Sequence, residues 1–340
     1  MSLNNRIKER ISIEVIKTLV TRFENFPKDA SNNRNAPFHE AFLKAFADKF
    51  DGKVSDTAFF ISLSSWLQGL NTTLGQSFFE NVAHHLCDGE KREYTSKKLG
   101  NLQITQTQKN AVSQIITDLS NSTCLPNLAR ENERLSQNGP EPSSLVNAID
   151  FSVDVFYETS NSVVAIELKS VKPNSGEMRG EKQKILEGKA ALCRKFPGKK
   201  IHFYIGFPFD PTVNPSNENM TSYKKSRFLG SIINMNKFFS PKETLVASEL
   251  WNFLSGEKNT MEEIIAIINT ISTTEFEHKL KLLTTNSERN TSEYIAQLQK
   301  WNLFSEKKLI ENNIAIRQRI VNDNSLTRCR IPDDSIRACD

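Results

Sequence analysis

Asp154, Glu167 and Lys169 are the residues whose types and spacing could do chemistry. They lie in "IDFSVDVFYE" (149–158) and "VVAIELKSV" (163–171). Both segments are rich in β-branched and aromatic residues and read as strands, and the polar "TSNS" between them suits a hairpin. Alternation along a strand puts Glu167 and Lys169 on one face and Val164, Ile166 and Leu168 on the other. In the preceding strand Asp154 faces away from Val153 and Val155. With the loop at 159–162, Asp154 lies directly across from Glu167. Two carboxylates that close repel, and one is pushed toward its protonated form unless a cation sits between them. Hard oxygen donors of this kind suit Mg²⁺, which is held by one or two carboxylates plus a substrate phosphate. Lys169 would stand beside that ion, where an ammonium can orient a water nucleophile or stabilise charge developing on a phosphate. On this reading the charges face a metal and a phosphodiester and need not be buried in apolar packing.

An ExK spacing alone also describes an ordinary cross-strand ion pair on a solvated face. What favours the metal-site reading is the combination: an Asp in the preceding strand, twelve residues between it and Glu167, and a basic helix immediately afterwards. From Lys169 to Lys200 there are ten Lys or Arg against three Glu, and from Thr221 to Lys242 five basic residues and no acid.

The elements that must position these residues form an α/β core. After the two strands, "EKQKILEGKAALCRKF" (181–196) has helical period with Ile185, Leu186, Ala190, Leu192, Cys193 and Phe196 on its apolar side, and "KIHFYIGFPF" (200–209) is a further strand. Before them, the first 120 residues read as helices: "RISIEVIKTLVTRFENF", "FHEAFLKAFADKF", "SDTAFFISLSSWLQGL", "TTLGQSFFENVAHHL" and "TQTQKNAVSQIITDLSN". The polar "PKDASNNRNAP" breaks the first two. "ARENERLSQNGPEPSS" (129–144) reads as a linker. Beyond the core, "ETLVASELWNFLSG" and "MEEIIAIINTI" read as helices, and the last forty residues mix helix with an irregular tail. The expected division is a helical N-terminal region 1–144, a core 145–256 and a helical C-terminal region 257–340, with one compact domain of all three as the alternative.

Composition bounds the setting. With 340 residues, 38% apolar and 25% charged, the chain can bury a sizeable core, and its net charge of +4 argues weakly for any partner. The first residues carry charges instead of an apolar signal, and no apolar run approaches the roughly 18 to 20 residues that span a bilayer. No membrane association and a cytoplasmic location are expected. Five scattered cysteines form no CxxC pair and no zinc-ligand spacing with histidine. His84 and His85 are adjacent on a helix and point in different directions, so a shared metal is not expected; His202 in a strand reads as structural. Nucleotide-binding and serine-hydrolase motifs are lacking.

Asp154 followed by Glu167-Leu168-Lys169 on neighbouring strands resembles the PD-(D/E)xK nucleases, with Val153 where the Pro of the motif would stand. "AIELKSVKPNSGEMRGEKQKILEGKAAL", "ELWNFLSG" (249–256) and "LNTTLGQSFFENVAHHL" (70–86) are similar to the TdeIII-like type II restriction endonucleases. The resemblance implies a mixed sheet flanked by helices and a Mg²⁺-dependent homodimer that cuts both strands of a short palindromic DNA site; relatives read sites of the GGNCC type. It also implies that Asp154 and Glu167 are metal ligands and Lys169 the catalytic lysine, with Glu80 in "SFFENVA" as a further acidic candidate, which reads equally as an exposed helix carboxylate. Lysines and arginines bind a duplex by releasing its counterions. Lys172, Arg179, Lys182 and Lys184, and a second group of Lys224, Lys225 and Arg227, are the expected DNA contacts. Another PD-(D/E)xK nuclease, for repair or junction resolution, and a non-catalytic DNA-binding protein are the alternatives.

Overall fold

Strands that bury both faces need covering layers on both sides, and the central strands here are of that kind. The computed structural model describes residues 2–27, 37–46, 57–136, 144–169 and 177–322. Its strands are β1 (Glu90–Tyr94), β2 (Gln103–Thr105), β3 (Leu145–Asn147), β4 (Phe151–Glu158), β5 (Ser162–Leu168), β6 (Lys200–Phe207) and β7 (Thr244–Val246). Five of them form one mixed sheet in the order β1-β4-β5-β6-β7; β2 and β3 pair separately. β4 is antiparallel to both β1 and β5, whereas β5, β6 and β7 run parallel. Phe151, Val153, Val155 and Phe156, and every residue from Val163 to Ile166, are buried. This is the expected α/β class, with helices flanking a mixed sheet.

The helices that matter for the site are α1 (Phe79–Cys87), α2 (Gln106–Ser120), α3 (Leu128–Ser136), α4 (Glu177–Lys195) and α5 (Ser248–Ser255). α2 starts on a reciprocal cap: the Gln108 amide N–H donates to Thr105 Oγ1 at 3.1 Å and Gln108 Oε1 accepts from the Thr105 N–H at 3.0 Å. Its Val112, Ile115, Ile116 and Leu119 recur at helical spacing and are buried. α4 packs on α2 and on β6. At Gly188 an added Cβ would sit 2.8 Å from Phe203 and 3.1 Å from Phe151, so a side chain there would push α4 off the sheet.

Charged groups also hold this layer together. Lys182 of α4 is fully buried, and its ammonium lies 2.5 Å from both Glu131 Oε2 of α3 and Glu243 Oε2 of the turn before β7, over the ring of Phe239. Glu187, also fully buried, accepts from Lys109 of α2 at 2.7 Å and from the Ile149 amide at 2.9 Å. A buried ammonium between two carboxylates is favourable only while all three are present.

Three sequence expectations change. The first part of the expected linker over 129–144 is instead occupied by α3. Asn127 caps it by accepting from the Arg130 N–H at 3.1 Å, while Glu131 reaches back to the Asn127 N–H at 3.0 Å. Its polarity hides it, because one of its inward residues is the carboxylate Glu131. In "ETLVAS" the expected helix is β7, and helix begins only at Ser248. The region 1–144 is not all helix, since β1, "EKREY", is an edge strand whose charges suppress the apolar alternation. β1 is thereby joined to the sheet of the 145–256 region within one compact unit.

The chain divides into two units. The first, residues 1–3 and 14–266, holds the sheet and α1–α5; the second comprises 4–13 and 267–340. Within the second, Tyr294, Leu298 and Ile310 form a small core, Phe276 stacks on Trp301 at 5.6 Å, and Glu9 accepts from the Ser305 amide at 2.7 Å.

Lys182→Ala should lower the unfolding free energy by about 3–5 kcal/mol by leaving two buried carboxylates face to face. Urea denaturation at neutral pH measures this; a change under about 1 kcal/mol would show that the triad does not anchor the layer.

Candidate active site

The β4–β5 ladder pairs Val155 with Ile166 and continues to Glu158 with Val163. Extending that count by one residue sets Asp154 opposite Glu167, the register expected from the hairpin. The turn is shorter than expected, because Ser162 already belongs to β5; the Thr159 N–H donates to the Ser162 carbonyl at 2.8 Å. At the open end of the ladder Asp154 Oδ2 accepts from the Leu168 N–H at 2.8 Å, and the Lys169 N–H donates to the Gly206 carbonyl at 2.8 Å. Backbone contacts therefore fix where all three side chains begin.

These carboxylates do not sit on a wet sheet face. Asp154 is 8% exposed and Glu167 6%, so both are buried, although against charged groups and not in apolar packing. They are held by ammonium groups. Lys91 of β1 places Nζ 3.0 Å from Glu80 Oε2 and 3.3 Å from Asp154 Oδ1. On the other side Glu167 Oε1 accepts from Lys184 at 2.7 Å and lies 3.3 Å from Lys169. Glu181 of α4 closes this half, 2.9 Å from Lys169 and 2.8 Å from Lys184. Asp154, Glu167 and Lys169 thus come together in one charged cluster, and Glu80 joins it through Lys91.

The electrostatics follow from burial and neighbours. Burial, and then the charge of Asp154, push the Glu167 carboxyl above the ordinary range despite Lys184 and Lys169. Glu80 is pushed up by burial and by Asp154, with Lys91 opposing. Burial works against the Lys169 ammonium, but Glu167 and Glu181 outweigh it and raise its pKa. Glu181 is also disfavoured by burial, yet Lys184 and Lys169 hold it below the usual value.

Glu80 owes its position to an irregular helix. The helix Thr57–Thr73 passes through a π turn, Leu74–Phe78, before α1, and the extra residue in that turn shifts the phase of α1. α1 then lies against β4, and the Nε2–H of His84 donates to the Asp154 carbonyl at 2.6 Å. His85 instead approaches Glu14 at 3.4 Å, so the two histidines diverge as expected.

The sequence reading does not single out Lys91 or Glu181. Lys91 arrives on a strand with no sequence signal. Glu181 has one: Glu177, Glu181 and Lys184 share a helix face at i, i+4 and i+7 immediately after the strand. Glu177 lies 3.8 Å from Lys169.

The expected DNA contacts divide. Lys182 is corrected, because it is buried between Glu131 and Glu243 and cannot reach a phosphate. Lys225 is corrected as well: its three ammonium donors go to the Pro241 and Thr244 carbonyls and to Glu249. Lys184 faces the carboxylate cluster, and Arg227 is engaged by Glu218 at 2.9 Å and Thr212 at 3.0 Å. Arg179 and Lys224 are exposed. Lys172 lies outside the described residues.

Among the described residues no three His, Cys, Asp or Glu side chains converge into a ready-made metal cage. The donor chemistry nevertheless fits a divalent cation. Glu167 Oε2 is buried without a hydrogen-bond partner, next to Asp154, and two carboxylates with water and phosphate are what Mg²⁺ requires.

A carboxyl whose folded pKa exceeds its unfolded value binds its proton more tightly in the folded state. Its contribution to stability is greatest at low pH and is lost as pH rises from the ordinary carboxylate value to the raised one. Compared with Glu167→Gln, metal-free wild type should therefore lose stability as pH rises from about 4 through that window. Urea midpoints across pH measure this, and a relative gain with rising pH would contradict the raised Glu167.

The family model described as the type II restriction endonuclease HinfI matches residues 3–272. The type II restriction enzyme MjaII of Methanocaldococcus jannaschii is 44% identical over 322 residues, covering 90% of this chain and 85% of its own. The family named is that of HinfI, and the narrower TdeIII-like likeness is not what this match names. No described helix is long and apolar enough to cross a membrane. Type II restriction endonucleases generally use a divalent metal to cut DNA. With Asp154, Glu167 and Lys169 gathered at the open end of the β4–β5 hairpin, and with this match over most of its length, the chain belongs to the HinfI family of type II restriction endonucleases, site-specific enzymes that hydrolyse DNA.

Proposed function

We propose that Asp154 and Glu167 hold Mg²⁺ for cleavage of both strands of a short palindromic site, of the GGNCC type, by a cytoplasmic homodimer. The observation that carries this reading is the buried, unpartnered Glu167 Oε2 beside Asp154. When bound, the metal supplies a more acidic water and a positive charge against the phosphate oxygens. The chain's own residues do the rest. Lys169, whose pKa is raised, stays an ammonium at neutral pH; it orients the water and stabilises charge on the phosphate rather than taking a proton. Glu181 holds Lys169 and Lys184 in position from α4. Glu80 and Lys91 form the far wall, and His84 fixes the backbone of Asp154. Arg179 and Lys224 are left to meet the DNA backbone, with Lys172.

Digesting DNA of known sequence with Mg²⁺ and sequencing the fragment ends tests this. Discrete fragments with one shared palindrome are expected, and EDTA should abolish them. Lys169→Ala should retain duplex binding and lose about 10²–10³-fold in cleavage rate, the loss seen when one charge-stabilising donor is removed. An unchanged rate in that variant removes Lys169 from the mechanism. Sedimentation of the protein with its duplex site should give two chains per site.

A further inference from the structure

β7 pairs only with residues 205–207 of β6, so the first half of β6 is an open sheet edge. Beside it lies a half-open cavity of about 400 Å³, a volume suited to a small ligand. Along β6, Glu167 stands level with Ile205, so Lys200 lies about 16 Å from the carboxylate cluster at 3.3 Å per residue.

The lining of this cavity is cationic. Lys189 of α4 is 7% exposed, lines the cavity, and has no hydrogen bond or ion pair among the described residues. Lys200 and Lys242 are exposed and line the cavity with the half-buried His202. Glu131 and Glu243, the buried carboxylates whose charges act on Lys189, are engaged by Lys182. α3 opens into the same space with its first turn, Leu128 and Ala129. Its cap Asn127 takes the N–H groups of Arg130 and Glu131, and the two preceding N–H groups are those a helix leaves without an internal partner.

We propose that this cavity is a binding site for a phosphate group, seated on the α3 N–H groups and closed by Lys189 and Lys242. A helix N-terminus favours an anion. An ammonium with no protein partner among the described residues, on a side chain only 7% exposed, provides the charge-assisted bond that makes such a site more than a surface patch. Burial lowers the Lys189 pKa, and an arriving anion opposes that shift. A nucleotide-sized monoester and a DNA backbone both carry such a phosphate; the site does not depend on the nuclease chemistry.

Calorimetric titrations without metal, at fixed ionic strength, test the proposal. The probes are inorganic phosphate, a nucleoside monophosphate and a duplex, each against wild type, Lys189→Met, Lys242→Ala and Lys169→Ala. Phosphate or the monoester should bind wild type and Lys169→Ala alike and bind Lys189→Met about tenfold more weakly, with Lys242→Ala weakened severalfold. If only the duplex responds, and it weakens in Lys189→Met and Lys242→Ala, the phosphate is that of the backbone. Should Lys189→Met fail to fold, Lys242→Ala decides. No binding of any probe, binding unchanged in both cavity variants, or phosphate binding lost only in Lys169→Ala would overturn the site. Loss of cleavage would not, because binding is read without it.

Discussion

Two carboxylates set opposite each other at the end of a hairpin repel, and the repulsion grows as water is removed. Asp154 and Glu167 are in that position, and both are nearly buried. Three elements answer it with lysines: β1 brings Lys91, the end of β5 brings Lys169 and α4 brings Lys184. The edge strand, the hairpin and the helix are therefore coupled through one charge balance. An edge strand that would otherwise be only a protective border becomes part of the site.

α4 carries several roles on different faces. Its Glu181 and Lys184 face the hairpin's open end, while Lys182 turns inward to Glu131 and Glu243 and Glu187 ties α2 to the chain before β4. A run of lysines in sequence suggests a face laid against DNA. Much of this run is internal, because buried glutamates on α3 and in the turn before β7 draw the ammonium groups inward. Sequence density of positive charge and surface positive charge are different quantities, and the difference is set by where the acids fold.

The part of the structure legible in the sequence is local. Alternation and a short polar turn are enough to put Asp154 across from Glu167 and Lys169 on the same face as Glu167, because a strand has period two and a hairpin fixes register. The strand-strand-helix-strand order yields the α/β class for the same reason. The parts that escape depend on distant partners. Lys91 sits in a strand whose charges erase its pattern, α3 buries a carboxylate where a leucine would have announced a helix, and β7 has three residues. Each is stabilised by tertiary contacts that no window of neighbouring residues contains.

The charge balance differs at the two ends of the parallel β5–β6 pair. At one end Glu80, Asp154, Glu167, Glu177 and Glu181 face Lys91, Lys169 and Lys184, five carboxylates against three ammonium groups, with Glu167 Oε2 unpartnered. The site therefore has a residual attraction for a cation and already supplies a buried oxygen to meet it. Toward the other end the cavity is lined by Lys189, Lys200 and Lys242, while the buried Glu131 and Glu243 are taken by Lys182. A surplus of either sign in a partly dry place is unfavourable by itself and becomes favourable when an ion of opposite sign arrives. The same sheet thus offers opposite surpluses at its two ends, and α4 supplies lysines to both.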